Sequence, residues 1–160
     1  MKPRIEQLRE TKLIGSRVSM SFANNRTREL WQSFMSGRGE INNAVGRDLY
    51  SVEIFHDPSF FRNFNPAMKF EKWAAVKVTD HNSIPDGMES LIIPGGSYAV
   101  FHYKGKPSEA QETYRYIYAI WLPASEYTLD DRPHFALMGE KYKGENPDSE
   151  EELWIPVKKN

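Results

Sequence analysis

Residues 152–157 of the chain read Glu152-Leu153-Trp154-Ile155-Pro156-Val157. Side chains alternate between the two faces of a β-strand, so Leu153, Ile155 and Val157 share an apolar face. Glu152 and Trp154 then lie together on the opposite face. A carboxylate beside an indole can hold a flat cation, because the ring face and the negative charge both attract it. The stretch predicts a strand with one core side and one candidate binding side.

A helix with an aromatic face is predicted upstream of this strand. Its large side chains recur at the i, i+3, i+4 and i+7 spacing of one helix face: Tyr114, Ile117, Tyr118 and Trp121. Residues 108–111 have the form of a capping box, which would begin the helix. Pro123 is expected to end it, because proline has no backbone N–H to donate.

The remaining elements follow from alternating apolar positions and turn residues. Four strands are predicted around the aromatic helix: Ser90–Ile93, Ser97–Tyr103, Phe135–Tyr142 and Glu151–Lys158. Earlier in the chain, strands are predicted at Thr11–Phe22, Leu49–Phe55 and Phe70–Thr79. Between the first two of these, an apolar helix face is expected after Asn24-Asn25 and before Gly37 and Gly39, made of Leu30, Trp31, Phe34 and Met35.

The order strand, helix, strand, strand therefore occurs twice, in approximate halves 1–82 and 83–160. At 160 residues the chain has the size of one domain. We predict an α+β fold of two tandem units related by pseudo-twofold symmetry, with antiparallel sheets covered by two helices. Two like units packed side by side leave a central ligand cleft between them, and such junctions favour pockets.

Charge and cysteine content limit the function classes. The chain has 21 Lys and Arg against 22 Asp and Glu, so it offers no basic footprint for direct nucleic acid binding. Cysteine is absent, which excludes disulfides and thiolate metal sites. No segment approaches the ~20 apolar residues of a membrane span, and the first residues lack the apolar run of a signal peptide. We expect a cytoplasmic protein with no membrane partner.

Signals for catalysis or cofactor binding are weak. The four histidines show neither an i, i+4 metal pair nor a His-Glu-x-x-His arrangement. Pro94-Gly95-Gly96-Ser97 is not a Gly-x-Ser-x-Gly elbow, and no phosphate-binding glycine loop is present. The sequence predicts no metal and no cofactor.

Four short motifs follow one another along the second half of the chain: Tyr98-Ala99-Val100-Phe101, Trp121-Leu122-Pro123-Ala124-Ser125-Glu126-Tyr127, Arg132-Pro133-His134-Phe135, and Pro147-Asp148-Ser149 running into Leu153-Trp154-Ile155-Pro156-Val157. Taken in this order, they resemble the GyrI-like family, which is also described as the effector-binding domain of AraC-type and MerR-type multidrug regulators. The resemblance covers Ile5 to Lys158.

The resemblance implies a duplicated strand-helix-strand-strand fold whose cleft takes amphipathic organic cations between aromatic rings, with an acid below them. Because Ile5 already belongs to the first strand region, we expect a stand-alone member without a DNA-binding head. A separate transcription regulator is a further candidate partner. On the penultimate strand many relatives have a pattern like Phe-Glu-x-Tyr, where this chain has Phe135-Ala136-Leu137-Met138. The acid is missing at Ala136, so Glu152, and after it Glu140, are the replacement candidates.

Nine residues are candidates for lining the cleft: Trp31, Phe34, Tyr50, Trp73, Tyr118, Trp121, Phe135, Glu152 and Trp154. The resemblance places aromatic pocket positions at Tyr50 and Trp73. The helix aromatics have an alternative reading as ordinary core, because aromatic side chains bury the largest area per residue. Glu152 could equally be a solvated residue of the acidic run 148–152.

Three functions remain open. The first is binding of small amphipathic, cationic aromatic molecules for drug or effector sensing or sequestration, without chemistry. The second is hydrolysis of cyclopropane-containing genotoxins, an activity of some similar proteins, with Glu152 orienting or deprotonating water and Tyr50 or Tyr118 polarising a carbonyl. The third is inhibition or protection of a macromolecular partner such as gyrase, which would need an exposed interaction patch.

Overall fold

Nine strands form one sheet in the part of the chain that the computed structural model describes, residues 2–57 and 59–160. The strands are β1 (Arg4–Leu8), β2 (Thr11–Met20), β3 (Leu49–Ile54), β4 (Phe70–Lys77), β5 (Glu89–Ile93), β6 (Gly96–Lys104), β7 (Tyr127–Leu129), β8 (His134–Met138) and β9 (Glu150–Lys159). Every ladder between them is antiparallel. The sheet and its helices make an α+β fold, as the sequence predicts.

Two helical regions accompany the sheet. The first is α1 (Thr27–Gly37). The second begins with α2 (Gln111–Tyr116), continues through a π-helical turn (Ile117–Trp121) and ends with α3 (Leu122–Ala124). Within the described residues, no helix is long and apolar enough to cross a membrane.

Local signals place the first helix well and the second less well. The Asn25 side chain accepts a hydrogen bond from the Thr27 amide at 3.0 Å, where α1 begins. The capping box predicted at residues 108–111 does not form, because the Ser108 hydroxyl and amide both bind Glu145 instead. The helix also runs past Pro123 to Ala124. The penultimate strand is shorter than predicted and ends at Met138.

The strand order is β1-β6-β9-β8-β3-β4-β2-β5, with β7 also on β9, and its two ends meet. Strand β1 pairs with β6, whereas β2 pairs with β5. Only two residues separate β1 from β2, and two separate β5 from β6. The pairs Arg4–Val100 and Gly15–Glu89 belong to one continuous register, since each step forward on one segment is a step back on the other. The sheet therefore closes into a ring of six chain segments.

One apolar cluster fills the inside of this ring. All six segments contribute to its buried members: Leu13, Val52, Trp73, Ala75, Ile93, Tyr98, Val100, Phe135 and Trp154. The rings of Phe135 and Trp154 stack with centroids 5.2 Å apart, and Tyr98 packs against both. The Tyr98 hydroxyl, which is also buried, donates to the Pro133 carbonyl at 2.7 Å. We call this set the inner cluster.

The outside of the ring carries the helices. Leu30 and Phe34 of α1 pack against Ile14, Ala74 and Val76. The second helical region packs against a separate set of buried residues that includes Phe101, Ala136, Leu153, Ile155 and Val157. The helices thus cover two patches on the outer face, one over β2 and β4 and one over β6 and β9. The pseudo-twofold symmetry of the two halves stays a prediction.

Gly15 permits the close contact of β2 with β4. A Cβ at this position would collide with the Ala74 carbonyl oxygen and would lie only 2.6 Å from the Ala75 Cβ. Both neighbours belong to β4, which pairs with β2 on one side and β3 on the other, so neither can move aside without disturbing these ladders. We expect Gly15→Ala to lower the free energy of unfolding by about 1–3 kcal/mol, the usual cost of overpacking a core.

Gly39 provides the matched control, because a Cβ added there would have no heavy atom within 4 Å. Urea denaturation of Gly39→Ala should give a midpoint equal to or slightly above that of the unsubstituted protein. Equal midpoints for the two variants would contradict the tight β2–β4 contact.

Candidate functional site

Four of the nine predicted site residues belong to the inner cluster or its edge. Trp73, Phe135 and Trp154 are buried there, and Tyr50 is half-buried with its ring 5.4 Å from that of Phe135. They belong to one packed interior, in which Phe135 stacks on Trp154 and contacts Tyr50. Trp73 and Phe135 are almost completely buried, whereas the Trp154 ring lies 6.0 Å from the exposed guanidinium of Arg4. The part of these four rings in ligand binding stays a prediction.

Four others lie on the outer face with the helices. The Phe34 side chain of α1 is fully buried, and the Trp31 ring packs edge-on against it with ring centroids 5.9 Å apart. Trp121 packs edge-on against Phe101 at 5.1 Å, and Tyr118 stacks on Phe61 at 4.3 Å. The sheet lies between these residues and the inner cluster. The nine residues therefore do not surround one space, as a single central cleft would require.

Glu152 shares a face with Trp154, as the alternation of the strand predicts. The Trp154 indole N–H donates to Glu152 Oε1 at 3.2 Å. The other carboxylate oxygen, Oε2, accepts from the Arg4 guanidinium at 2.8 Å. The carboxylate predicted to meet a ligand cation thus already has a cationic partner from the same chain.

Glu151 is the acid that the sequence reasoning missed. It is 9% exposed, on the outer face with Leu153 and Ile155. Among residues 2–57 and 59–160 its carboxylate has neither a hydrogen-bond donor nor an ion-pair partner. Burial raises the pKa of Glu151 to about 7; Lys72 opposes this rise, and the charges of Glu53 and Glu145 add to it. The sequence signal for its burial is strand alternation, which places Glu151 on the same face as Leu153, Ile155 and Val157.

The charge of Glu151 acts on three tyrosines. Burial raises the pKa of Tyr103, Tyr114 and Tyr142, and the negative charge of Glu151 adds to the rise in all three. Tyr103 is the direct cross-strand neighbour of Glu151 in the β6–β9 ladder. A carboxylate beside an aromatic ring is suited to an organic cation.

Small side chains cross the middle of the outer face. Ala74, Ser51 and Ala136 are direct neighbours on β4, β3 and β8. They lie between the patches covered by the two helical regions, and all three are buried. Because their side chains are short, the packing of this part of the outer face depends on the larger side chains that lie over it.

Acids flank this row of small residues on both sides. Ala136 pairs with Ser51 and with Leu153, and the next outward-facing residues on those strands are Glu53 and Glu151. Glu53 has a cation, since Lys72 Nζ lies 3.8 Å from its carboxylate. Ala136, where the resemblance implied an acid, pairs with Leu153 and is therefore near Glu151, whose charge has no such partner in the described chain.

A surface depression of about 390 Å³ reaches Glu151. Acids dominate its wall, and both acids predicted from the sequence are among them. The lining residues are Asp48, His102, Leu137, Gly139, Glu140, Lys141, Glu150, Glu151 and Glu152. We call it the acidic depression. It gives a solvent-borne cation a negatively charged route to the buried carboxylate.

The outer face also contains a buried tyrosine–histidine pair. The hydroxyl of Tyr118 and Nδ1 of His134 are 2.8 Å apart. Burial, helped by the charge of Arg132, lowers the pKa of His134 to about 3. The imidazole is therefore neutral and can accept a hydrogen bond from the Tyr118 hydroxyl. Tyr118 is thus engaged on the face opposite to Glu152. Of the two tyrosines predicted to act with Glu152 in hydrolysis, Tyr50 is the better placed, because Tyr50 and Glu152 are the two cross-strand neighbours of Leu137.

No group of three or more His, Cys, Asp or Glu suited to a metal ion occurs in the residues that the structure describes. The histidines fit this picture, because each has a local partner. His56 contacts Glu71 at 3.1 Å, His81 contacts the Leu13 carbonyl at 2.9 Å, and His102 contacts Glu150 at 2.6 Å. The chemistry available at the acidic depression is that of its carboxylates, with His102 and Lys141 beside them.

The pKa of Glu151 predicts a pH dependence of stability. In the folded state this carboxyl keeps its proton up to about pH 7, whereas in the unfolded chain it loses the proton near its ordinary value of 4.5. The folded state binds more protons in this window, so stability falls as pH rises from about 4.5 to 7 and stays lower above it. We expect Glu151→Gln to remove this decline and to stabilise the protein at pH 8 by on the order of 2 kcal/mol.

Thermal or urea unfolding at pH 5 and pH 8 measures this effect. Glu150→Gln is the matched control: the His102 hydrogen bond lowers the pKa of Glu150, so its removal should bring no gain at pH 8. A Glu151→Gln variant that keeps the full decline between the two pH values would contradict the assignment.

Comparison with known proteins gives one curated relative and solved structures of the same fold. The transcriptional regulator BrlR of Pseudomonas aeruginosa is 24% identical over 161 residues, which cover 98% of this chain and 56% of the regulator. The chain thus spans about half the length of this relative.

Among solved structures, SAV2435 bound to tetraphenylphosphonium superposes with a TM-score of 0.70 at 19% identity, covering 99% of this chain and 94% of that one. A hydrolase from Listeria innocua superposes with a TM-score of 0.61 at 11% identity, covering 98% and 92%. At such low identities these structures establish the fold. The family model described as the GyrI-like small molecule binding domain matches residues 1–158, and the chain belongs to this family.

Proposed function

We propose that this domain binds small amphipathic, cationic aromatic molecules at the acidic depression, as a sensor or sequestering protein without chemistry. The observation that carries the proposal is the buried Glu151 carboxylate, which lies beside its cross-strand neighbour Tyr103, lines the acidic depression and has no ion-pair partner in the described chain. This differs from the acid expected from the sequence, because Glu152 is paired with Arg4.

The energetics favour a cation over a neutral guest. A buried carboxylate without a partner is costly, and above pH 7 that cost is present in the empty site. A bound cation removes this cost by pairing with the carboxylate. Each phenol face that the cation covers contributes roughly 0.5–2 kcal/mol more. An aromatic cation can also bury apolar surface beside the outer-face residues, so few directional hydrogen bonds are needed.

The comparisons support this proposal at the level of the class of ligand. The SAV2435 structure contains tetraphenylphosphonium, a lipophilic aromatic cation. BrlR is a transcriptional regulator, and a domain of this family in a regulator is suited to effector sensing. For this chain we therefore propose drug or effector recognition.

Tetraphenylphosphonium is a suitable probe for the test. Calorimetry at pH 8 should show binding, and Glu151→Gln should weaken it at least about tenfold, because the variant loses the partner charge. Affinity for the unsubstituted protein should rise from pH 6 to pH 8 as Glu151 loses its proton. The Glu151→Gln variant should show no such rise.

Two controls complete this test. Glu29→Gln removes an acid of α1 that pairs with Arg26 and lies outside the lining of the acidic depression, and it should leave affinity nearly unchanged. Triphenylphosphine oxide, a neutral compound of similar shape, should bind weakly and without pH dependence. Equal affinity for the cation and the neutral compound would overturn the proposal.

Hydrolysis is a second candidate, favoured by one observation. A carboxylate whose pKa is about 7 suits a general base at neutral pH, and Glu151 has this property. The Listeria innocua hydrolase shares the fold. In the proposed reaction Glu151 takes a proton from water, the water oxygen forms a C–O bond to one carbon of a strained cyclopropane, and the ring C–C bond breaks. The proton goes to the carbon beside the conjugated carbonyl.

Mass spectrometry with a cyclopropane-fused enone distinguishes the two candidates. Hydrolysis adds one water to the compound, and Glu151→Gln should abolish the product. A Glu152→Gln variant and a Tyr50→Phe variant test the pair predicted from the sequence. If none of the proteins forms product while tetraphenylphosphonium binds, simple binding is the function.

A further inference from the structure

Arg4 is placed as a bound cation would be. Its Nη2 lies 2.8 Å from Glu152 Oε2, and its guanidinium carbon is 6.0 Å from the centre of the Trp154 ring. Glu152 is held in turn by the Trp154 indole N–H, at 3.2 Å. Carboxylate, indole and guanidinium therefore form one set. We call it the Arg4 triad.

The Arg4 side chain can leave this position without disturbing the core. Its side chain is 49% exposed, and that of Glu152 is 30% exposed. Trp154 is held from the other side by stacking on Phe135. Arg4 also pairs with Glu6 at 2.8 Å, on its own strand, so the guanidinium keeps one partner when it releases Glu152. Exposed ion pairs contribute only about 0–1 kcal/mol, so exchange is cheap.

The Arg4 triad is adjacent to the proposed binding site, because Glu152 and Glu151 both line the acidic depression. While Arg4 holds Glu152, that acid presents little net charge to the depression. His102 contacts Glu150 in a similar way, at 2.6 Å. The negative charge that a ligand meets is therefore set in part by residues of this chain that compete for the same carboxylates.

We propose that Arg4 is a resident competitor that sets the charge selectivity of the acidic depression, an inference that rests on the proposed binding of cations there. A monocation can pair with Glu151 and leave the Arg4 triad intact. A dication needs a second carboxylate, and pairing with Glu152, the acid next to Glu151 on β9, requires displacement of Arg4. The intact protein should thus prefer monocations, and loss of the Arg4 charge should open the site to dications.

The first half of the chain supplies a matched control. Arg17 contacts Glu71 at 3.5 Å and Glu89 at 2.7 Å, and Glu71 accepts a hydrogen bond from the indole of Trp73. This arrangement is like the Arg4 triad, but it borders another depression, whose lining does not include Glu151. Substitution of Arg17 removes an equally exposed arginine from an equivalent set without touching the proposed site.

The experiment compares Arg4→Gln, Arg17→Gln and the double variant Arg4→Gln/Glu152→Gln by calorimetry at pH 8. The probes are methyl viologen, a planar dication, tetraphenylphosphonium, a monocation, and neutral triphenylphosphine oxide. We expect Arg4→Gln to raise affinity for methyl viologen by roughly fivefold to tenfold, the combined effect of a released exposed ion pair and a released indole face. The gain for the monocation should be smaller, and the neutral compound should show none.

The double variant should lose the gain, because it lacks the carboxylate that Arg4 releases, and Arg17→Gln should behave like the unsubstituted protein. Unchanged methyl viologen affinity in Arg4→Gln overturns the inference, as does an equal gain in Arg17→Gln. If the unsubstituted protein binds no cation but Arg4→Gln binds methyl viologen through Glu152, the inference stands and the proposed function of the intact chain fails. If no variant binds any probe, both fail.

Discussion

The pairing of residues 4–15 with residues 89–100 is the constraint on which the rest of the structure depends. This ladder joins the two ends of the strand order and closes the sheet into a ring. Rings of about eight strands have interiors just wide enough for their own side chains, and this one has six segments. Trp73, Phe135 and Trp154 are therefore packed together. Polar groups must lie at strand ends or on the outer face, and the acids collect there.

The acids of this region differ mainly in their partners. Glu152 has Arg4 and Glu53 has Lys72, and each of these ion pairs reduces the net charge shown to a ligand, while Glu150 contacts His102. Glu151 has Tyr103 as its cross-strand neighbour and no such partner in the described chain. Taking a lone carboxylate out of water is unfavourable for folding, and folded proteins keep such groups mainly where they serve a site. This contrast between neighbouring residues of one strand is the main argument for function.

Sequence periodicity predicted most of the elements, but it missed β7, made the penultimate strand too long and did not show how the elements meet. The alternation in β9 correctly placed Glu152 beside Trp154, and the helical spacing located α1 and the second helix. The pairing of β1 with β6 joins residues about ninety positions apart, and no local pattern encodes it. The same limit explains the capping box, where Glu145 competes for Ser108 from a distant loop. It also explains why Glu151 was overlooked, since its burial depends on strand pairing, which places it beside Tyr103 of β6.

The crossed pairing of the leading strands also affects how the chain can fold during synthesis. Among the described strands, β1 pairs only with β6, so its backbone must wait until the chain has been made through residue 104. Contacts between such distant positions slow folding, because the loop between them must close first. Until β6 emerges from the ribosome, β1 and the far edge of β2 remain open to wrong partners. A chaperone that binds residues 4–20 at this stage would increase the yield of folded protein without changing the native structure.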